Sequence, residues 1–124
     1  MVRALLLATG LFVALIGALL MVAPQAYFQF YATEYVSGMD FPARRFSPAL
    51  LALGALLIMA RSLESGPFLS RLCLLTGLAF LAVAATGVHD WASGIARPAI
   101  LGAAGLEVAV GVVFLWSAHR MKRA

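Results

Sequence analysis

Few side chains in this sequence are equipped for chemistry, and Glu107 is the most isolated of them. It stands in RPAILGAAGLEVAVGVVFLW, from Arg97 to Trp116, with no other charged residue between Pro98 and Trp116. If that stretch is a helix inside a membrane, a carboxylate at its middle is costly. Such a group turns inward, toward a partner or a wet cavity. Ala103 and Gly111 fall one turn to either side on the same face, which leaves room for a second helix to approach the acid. Two readings follow. In one, Glu107 is a site for a proton, a cation, an amine or a lipid-like small molecule. In the other it is a structural acid, protonated or paired with one arginine, that fixes helix register.

The remaining candidates are scattered. Arg97 is on the same helix but about 15 Å from Glu107 at 1.5 Å per residue, too far to pair with it. Arg44 and Arg45 reach a matching depth only if the helix after them begins early, near Pro42. Thr9, Thr76 and Thr86 are the other hydroxyls well inside apolar runs, and threonine there commonly bonds its own helix backbone. His89 adjoins Asp90 in a short polar stretch, HDWASG, that reads as a turn with an interfacial tryptophan. No nucleophile motif accompanies them, so they read as an ordinary interfacial turn rather than a catalytic pair. Ala85 precedes His89 by four residues, a spacing also seen where a membrane helix ligates a pigment. His119 belongs on the opposite side of the membrane, so the two histidines cannot share one metal or haem. Tyr31 is the middle member of Tyr27, Tyr31 and Tyr35, one face of a short helix. These rings serve either as membrane-interface anchors or as a lid over a ligand site, and anchoring is the simpler reading. Gly-rich phosphate loops, HExxH, paired carboxylates and nucleophile elbows are all missing from the sequence. The sequence therefore implies no catalytic set, metal site or cofactor.

Composition says what must hold these groups. Of 124 residues, 64% are hydrophobic and 11% charged, and the mean hydropathy is +1.00. A soluble domain this small needs a far more polar surface, so lipid is the natural solvent. A hydrocarbon core of about 30 Å takes about 20 apolar residues per helix, so four spans use most of the chain. The net charge of +4 sits mostly at the ends of apolar runs, where it sets orientation and touches headgroups rather than nucleic acid. The single cysteine, Cys73, excludes an internal disulfide or a CxxC motif and reads as a small buried thiol.

The predicted spans are about 4–23, 47–63, 68–88 and 97–117, with an interfacial helix over 25–36. Arg3 and the apolar run after it also resemble a signal peptide, but the run is long for one and is read as a span. Pro24 opens the interfacial helix, and Ser37-Gly38 closes it. Ser47-Pro48 reads as a cap and first turn of the second span; alternatively that helix begins near Pro42 and Pro48 kinks it. Ser65-Gly66-Pro67 is a turn. Arg3, Arg61, Arg71, Arg120, Lys122 and Arg123 share one side, against Arg44, Arg45 and Arg97 on the other, which predicts both termini in the cytoplasm. Small-residue rows at Gly10, Ala14 and Ala18, at Gly77 and Ala84, and at Ala99 and Ala103 suit close helix packing. Short connections predict an all-α, transmembrane four-helix up-down bundle with a short interfacial helix after the first span.

In outline the whole chain resembles small bacterial four-helix membrane proteins of a domain-of-unknown-function family and is loosely similar to the DoxX-like group. The features that carry this are Ala23-Pro24 after the first span, the aromatic segment, and Arg44-Arg45 leading into LALGALL (51–57). A third span and a fourth span with an acid complete the outline. The resemblance implies an acid beside the arginines at the start of the second helix, and no such partner is read there. It implies the fold and no mechanism. The expected function is that of a non-enzymatic accessory or scaffold protein of the bacterial inner membrane, packing with itself or with a larger complex. The alternatives are a binding or transport site on Glu107, roofed by the tyrosines, and a membrane enzyme acting on a lipidic substrate through Glu107 and His89.

Overall fold

Where the sequence runs apolar for about twenty residues, a helix that satisfies its own backbone is the only open-chain form that lipid tolerates. The computed structural model, which describes residues 1–123, has four such helices and a short one after the first. They are α1 (Val2–Val22), α2 (Pro24–Tyr31), α3 (Asp40–Ala60), α4 (Pro67–Ala92) and α5 (Ala99–Arg123), with one 3₁₀ turn at Ser37–Met39. No strand occurs among the described residues. The four long helices are long and apolar enough to cross a membrane. Their outer faces carry large exposed side chains such as Leu15, Leu56, Met59, Leu75 and Val112. The chain divides into two compact units, α1–α3 up to Arg61 and α4–α5 from Ser62 onward.

In the first unit, α1 ends at Ala23, whose backbone is non-helical (φ −141°, ψ 61°) ahead of Pro24. Pro24 then takes the first position of α2, where its missing N–H costs nothing. The short helix ends at Tyr31 rather than continuing to Val36, and Ala32 is extended. Tyr35 therefore leaves the helical face that its spacing predicts, and its hydroxyl turns to Asp40 at the start of α3. That helix begins at Asp40, so of the two readings the early start near Pro42 holds and the start at Ser47 does not, and it ends at Ala60 rather than Leu63. Asp40 favours a helix N-terminus electrostatically, and Pro42 falls within the first turn, where no bond is lost. Pro48 is thus carried inside the helix. Ser47 is no cap; its hydroxyl donates to the Ala43 carbonyl within the same helix at 2.6 Å.

The α1 and α3 axes run antiparallel, with Gly10 against Gly54 and Ile58, and Gly17 against Ser47, Leu50 and Leu51. A Cβ built on Gly54 would lie 2.6 Å from the Gly10 carbonyl oxygen, so the two backbones touch through glycine. Ala14 belongs to the same seam.

The second unit is an antiparallel helix pair. Gly77 faces Gly111 and Leu115, Gly87 faces Ile100, and the Ser70 hydroxyl donates to the Ala118 carbonyl at 3.0 Å. The α4 helix is longer than predicted and absorbs His89, Asp90 and Trp91. Polar side chains do not stop a helix; a change of backbone does. Gly94 supplies it with φ +77°, and the Asp90 carbonyl receives the N–H groups of Ile95 and Ala96 at 2.9 and 3.1 Å. The last helix extends past residue 117, so the basic tail is helical to Arg123. Arg120 lies over the Trp116 ring at 4.4 Å, a pairing suited to a membrane interface. The α5 seam uses Ile100 and Ala104 against Gly87, one position along from the predicted row of Ala99 and Ala103. Cys73 is fully buried, as expected.

Candidate functional site

The early start of α3 creates a polar feature that the sequence reading missed. Ser37 of the preceding 3₁₀ turn and Asp40, Phe41, Arg44 and Arg45 of its first turns fall on one side, a three-to-four-residue spacing that stacks side chains on one face. They line a cleft of about 560 Å³. The Tyr35 hydroxyl donates to Asp40 Oδ2 at 2.9 Å, and Arg44 Nη2 lies 3.6 Å from the same oxygen. The other carboxylate oxygen, Oδ1, is buried with no hydrogen-bond partner. A buried acceptor without a donor is costly, and such an atom calls for a group to fill its place. Arg45 has no acidic partner among the described residues.

Desolvation holds the Tyr35 phenol above its ordinary range, followed by its bond to Asp40 and that carboxylate's charge; Arg44 opposes the shift. The phenol is therefore neutral at physiological pH and serves as a donor. The signal for this cluster was present in the sequence as an acid four residues before an arginine, a pairing a helix brings together. A helix beginning at Ser47 leaves that pair outside it, and even a start at Pro42 excludes Asp40.

Glu107 occupies a different setting. The positions of α5 that run through Ile100, Ala104, Glu107, Gly111, Phe114 and Ala118 alternate in steps of four and three, the stripe of a helix that packs against one neighbour. Of these, Ala104, Gly111, Phe114 and Ala118 are buried, and Glu107 is half-buried. Gly111 lies against Leu81, and Ala104 is 3.9 Å from a Cβ on Gly87, so Glu107 is level with the buried Ala84 between them. Within this unit its carboxylate makes no salt bridge or side-chain hydrogen bond with any described residue. The Thr86 hydroxyl is occupied in its own helix by the Val83 carbonyl at 2.7 Å.

Within each unit the residues singled out from sequence take separate places. Arg44 and Arg45 share the cleft at the start of α3. Tyr31 does not line it; its ring rests on Tyr27 and Phe30, each with a centroid separation of 4.9 Å. His89 is exposed on the last turns of α4, about five residues or roughly 8 Å along the axis from the level of Glu107. No group of three or more His, Cys, Asp or Glu residues able to hold a metal ion occurs among the described residues.

No protein-family model, curated protein or solved structure matches this chain.

Proposed function

We propose that this chain is a small multi-pass protein of the bacterial inner membrane that works by helix packing, as an accessory or scaffold element assembling with itself or within a larger membrane complex. The observation that carries the reading is on α5. Each unit is held together where glycines let two backbones meet. A further pair, Gly102 and Gly105, lies exposed, with nothing within 4 Å of an added Cβ at either position. Small residues of this kind are what membrane helices use to approach one another. The sparse polar chemistry beside Glu107 supports the same reading. The excess of basic residues on one side supports termini in the cytoplasm.

The test is the size of the protein in lipid nanodiscs, measured by single-molecule photobleaching of labelled chains. The expected result is an assembly of more than one chain that Gly105→Leu disperses while insertion is unaffected. A wild-type protein that is monomeric at all densities in the membrane would count against self-assembly. A C-terminal reporter that reads as exterior would overturn the orientation.

A second reading, a proton, cation or small-molecule site on Glu107, has one observation in its favour: a half-buried carboxylate without a partner in its own helix pair. Glu107→Gln separates the two. The packing reading expects unchanged insertion, assembly and function; the site reading expects ligand or proton coupling to vanish while the protein still inserts.

A further inference from the structure

The cleft at the start of α3 has no part in the packing reading, and its chemistry points to a ligand. Its three ionic groups are Asp40, Arg44 and Arg45. Arg44 and Asp40 neutralise each other, which leaves the single positive charge of Arg45. Guanidinium groups favour phosphate because their donors match two oxygens at once. Beside them stands the buried Asp40 Oδ1, which needs a hydrogen-bond donor. A ligand that completes this cleft therefore brings one negative charge on a phosphate and a neutral hydroxyl donor a few bonds away.

Depth supplies the source. From Arg45 to Arg61 the helix rises about 24 Å, less than the roughly 30 Å of a hydrocarbon core. A membrane-spanning α3 thus anchors both ends a few ångströms short of the headgroups, and long arginine side chains extend outward to phosphate level. Phe41 and Phe46 are 70% and 66% exposed at the same end, placing apolar rings where acyl chains begin.

We propose that this cleft binds the head group of a monoanionic phospholipid carrying a free hydroxyl, the phosphatidylglycerol class. Arg45 and Arg44 hold the phosphodiester, and a head-group hydroxyl donates to Asp40 Oδ1. Tyr35 keeps the carboxylate in place through its other oxygen.

The experiment is native mass spectrometry of the full chain released from nanodiscs of equimolar phosphatidylglycerol and phosphatidylcholine. Phosphatidylglycerol should dominate the retained lipid. Arg45→Gln should lower that preference about fivefold, the worth of one basic residue near a charged membrane surface. Arg97→Gln, which removes a basic residue at the end of another span, should leave it unchanged. Asp40→Asn is the decisive variant. It makes the cleft more positive, so attraction by charge alone would strengthen retention; in the site described here the amide oxygen stays on the side of the Tyr35 and Arg44 donors, the NH2 replaces Oδ1, and the head-group hydroxyl meets a donor instead of an acceptor, so retention weakens. Equal retention of the two lipids, an equal loss in Arg97→Gln, or stronger retention in Asp40→Asn would each overturn the proposal. So would a preference for phosphatidylethanolamine over phosphatidylglycerol when it replaces phosphatidylcholine.

Discussion

Adding one methyl group at two different glycines should move the stability of this protein in opposite directions. At Gly54 the new Cβ would lie 2.6 Å from the Gly10 carbonyl oxygen and 2.8 Å from both the Cβ and the nitrogen of Ala14. The carbonyl and the nitrogen are backbone atoms, which no rotamer change can move aside. To regain ordinary contact at 3.4 Å the two helices must open locally by roughly 0.8 Å. Overpacking of this kind costs about 1–3 kcal/mol, against a helix-propensity gain of at most about 1 kcal/mol. Two backbone clashes under 3 Å put the cost toward the upper end of that range, so Gly54→Ala should destabilise the α1–α3 pair by about 2 kcal/mol. At Gly102 the same methyl meets nothing within 4 Å inside the chain, so for the protein diluted in detergent to a monomer only the propensity gain remains. Gly102→Ala should be neutral or stabilising by up to about 1 kcal/mol. Equilibrium unfolding of both variants in the same detergent or bicelle, read by steric trapping, makes the comparison. The glycine-seam argument is refuted if Gly54→Ala is as stable as wild type, or if Gly102→Ala is destabilised to the same degree.

Other perturbations follow from single contacts. Ser70→Ala removes the hydroxyl that reaches the Ala118 carbonyl across the α4–α5 seam. Interhelical bonds in membranes average about 0.6 kcal/mol, so the loss in the same unfolding assay should be of that order, and a loss several times larger would mean repacking. The raised Tyr35 ionisation makes the Tyr35–Asp40 contact alkaline-sensitive. Because the folded value lies above the ordinary 10.0, the stabilisation is fully present below 10.0 and is lost as pH rises through the folded value. The stability difference between wild type and Tyr35→Phe should accordingly shrink in that window, and a difference that stays constant there would remove Tyr35 from the cleft's support.

The helical content of this fold was legible because lipid allows so few alternatives. Runs such as Ala4–Ala23 and Phe68–Val88 carry their own length and polarity signal. The helix ends were harder, for one recurring reason. Ser47 reads as a helix start and His89-Asp90 as a turn, yet helices pass through both. The actual breaks fall where the backbone is forced, at Ala23 before Pro24 and at Gly94 with its positive φ. The cleft was lost through the same error, because Asp40 and Arg44 are neighbours only if both are helical. Arg44 and Arg45 were picked out for their depth relative to Glu107. Their more specific property, a shared face with an acid that has one oxygen left over, required the register of α3.

Seam geometry also bears on why an acid is tolerated at position 107. The stripe on which it stands alternates bulk and its absence, with Phe114 two steps along and Gly111 between them. Across the seam its level is that of Ala84, whose methyl leaves space that a larger residue would fill. Room for the carboxyl therefore comes from small neighbours on both helices rather than from a polar partner within the pair. Ala84→Leu puts this to the test without touching the acid, by placing bulk where that room is. If Glu107 is accommodated by space, the variant should destabilise the α4–α5 pair by about 1–3 kcal/mol, the range for overpacking, and most of that loss should disappear in the double variant with Glu107→Ala. If the two substitutions instead add independently, the acid and Ala84 do not share the seam, and the register drawn from the glycine contacts is wrong at that level.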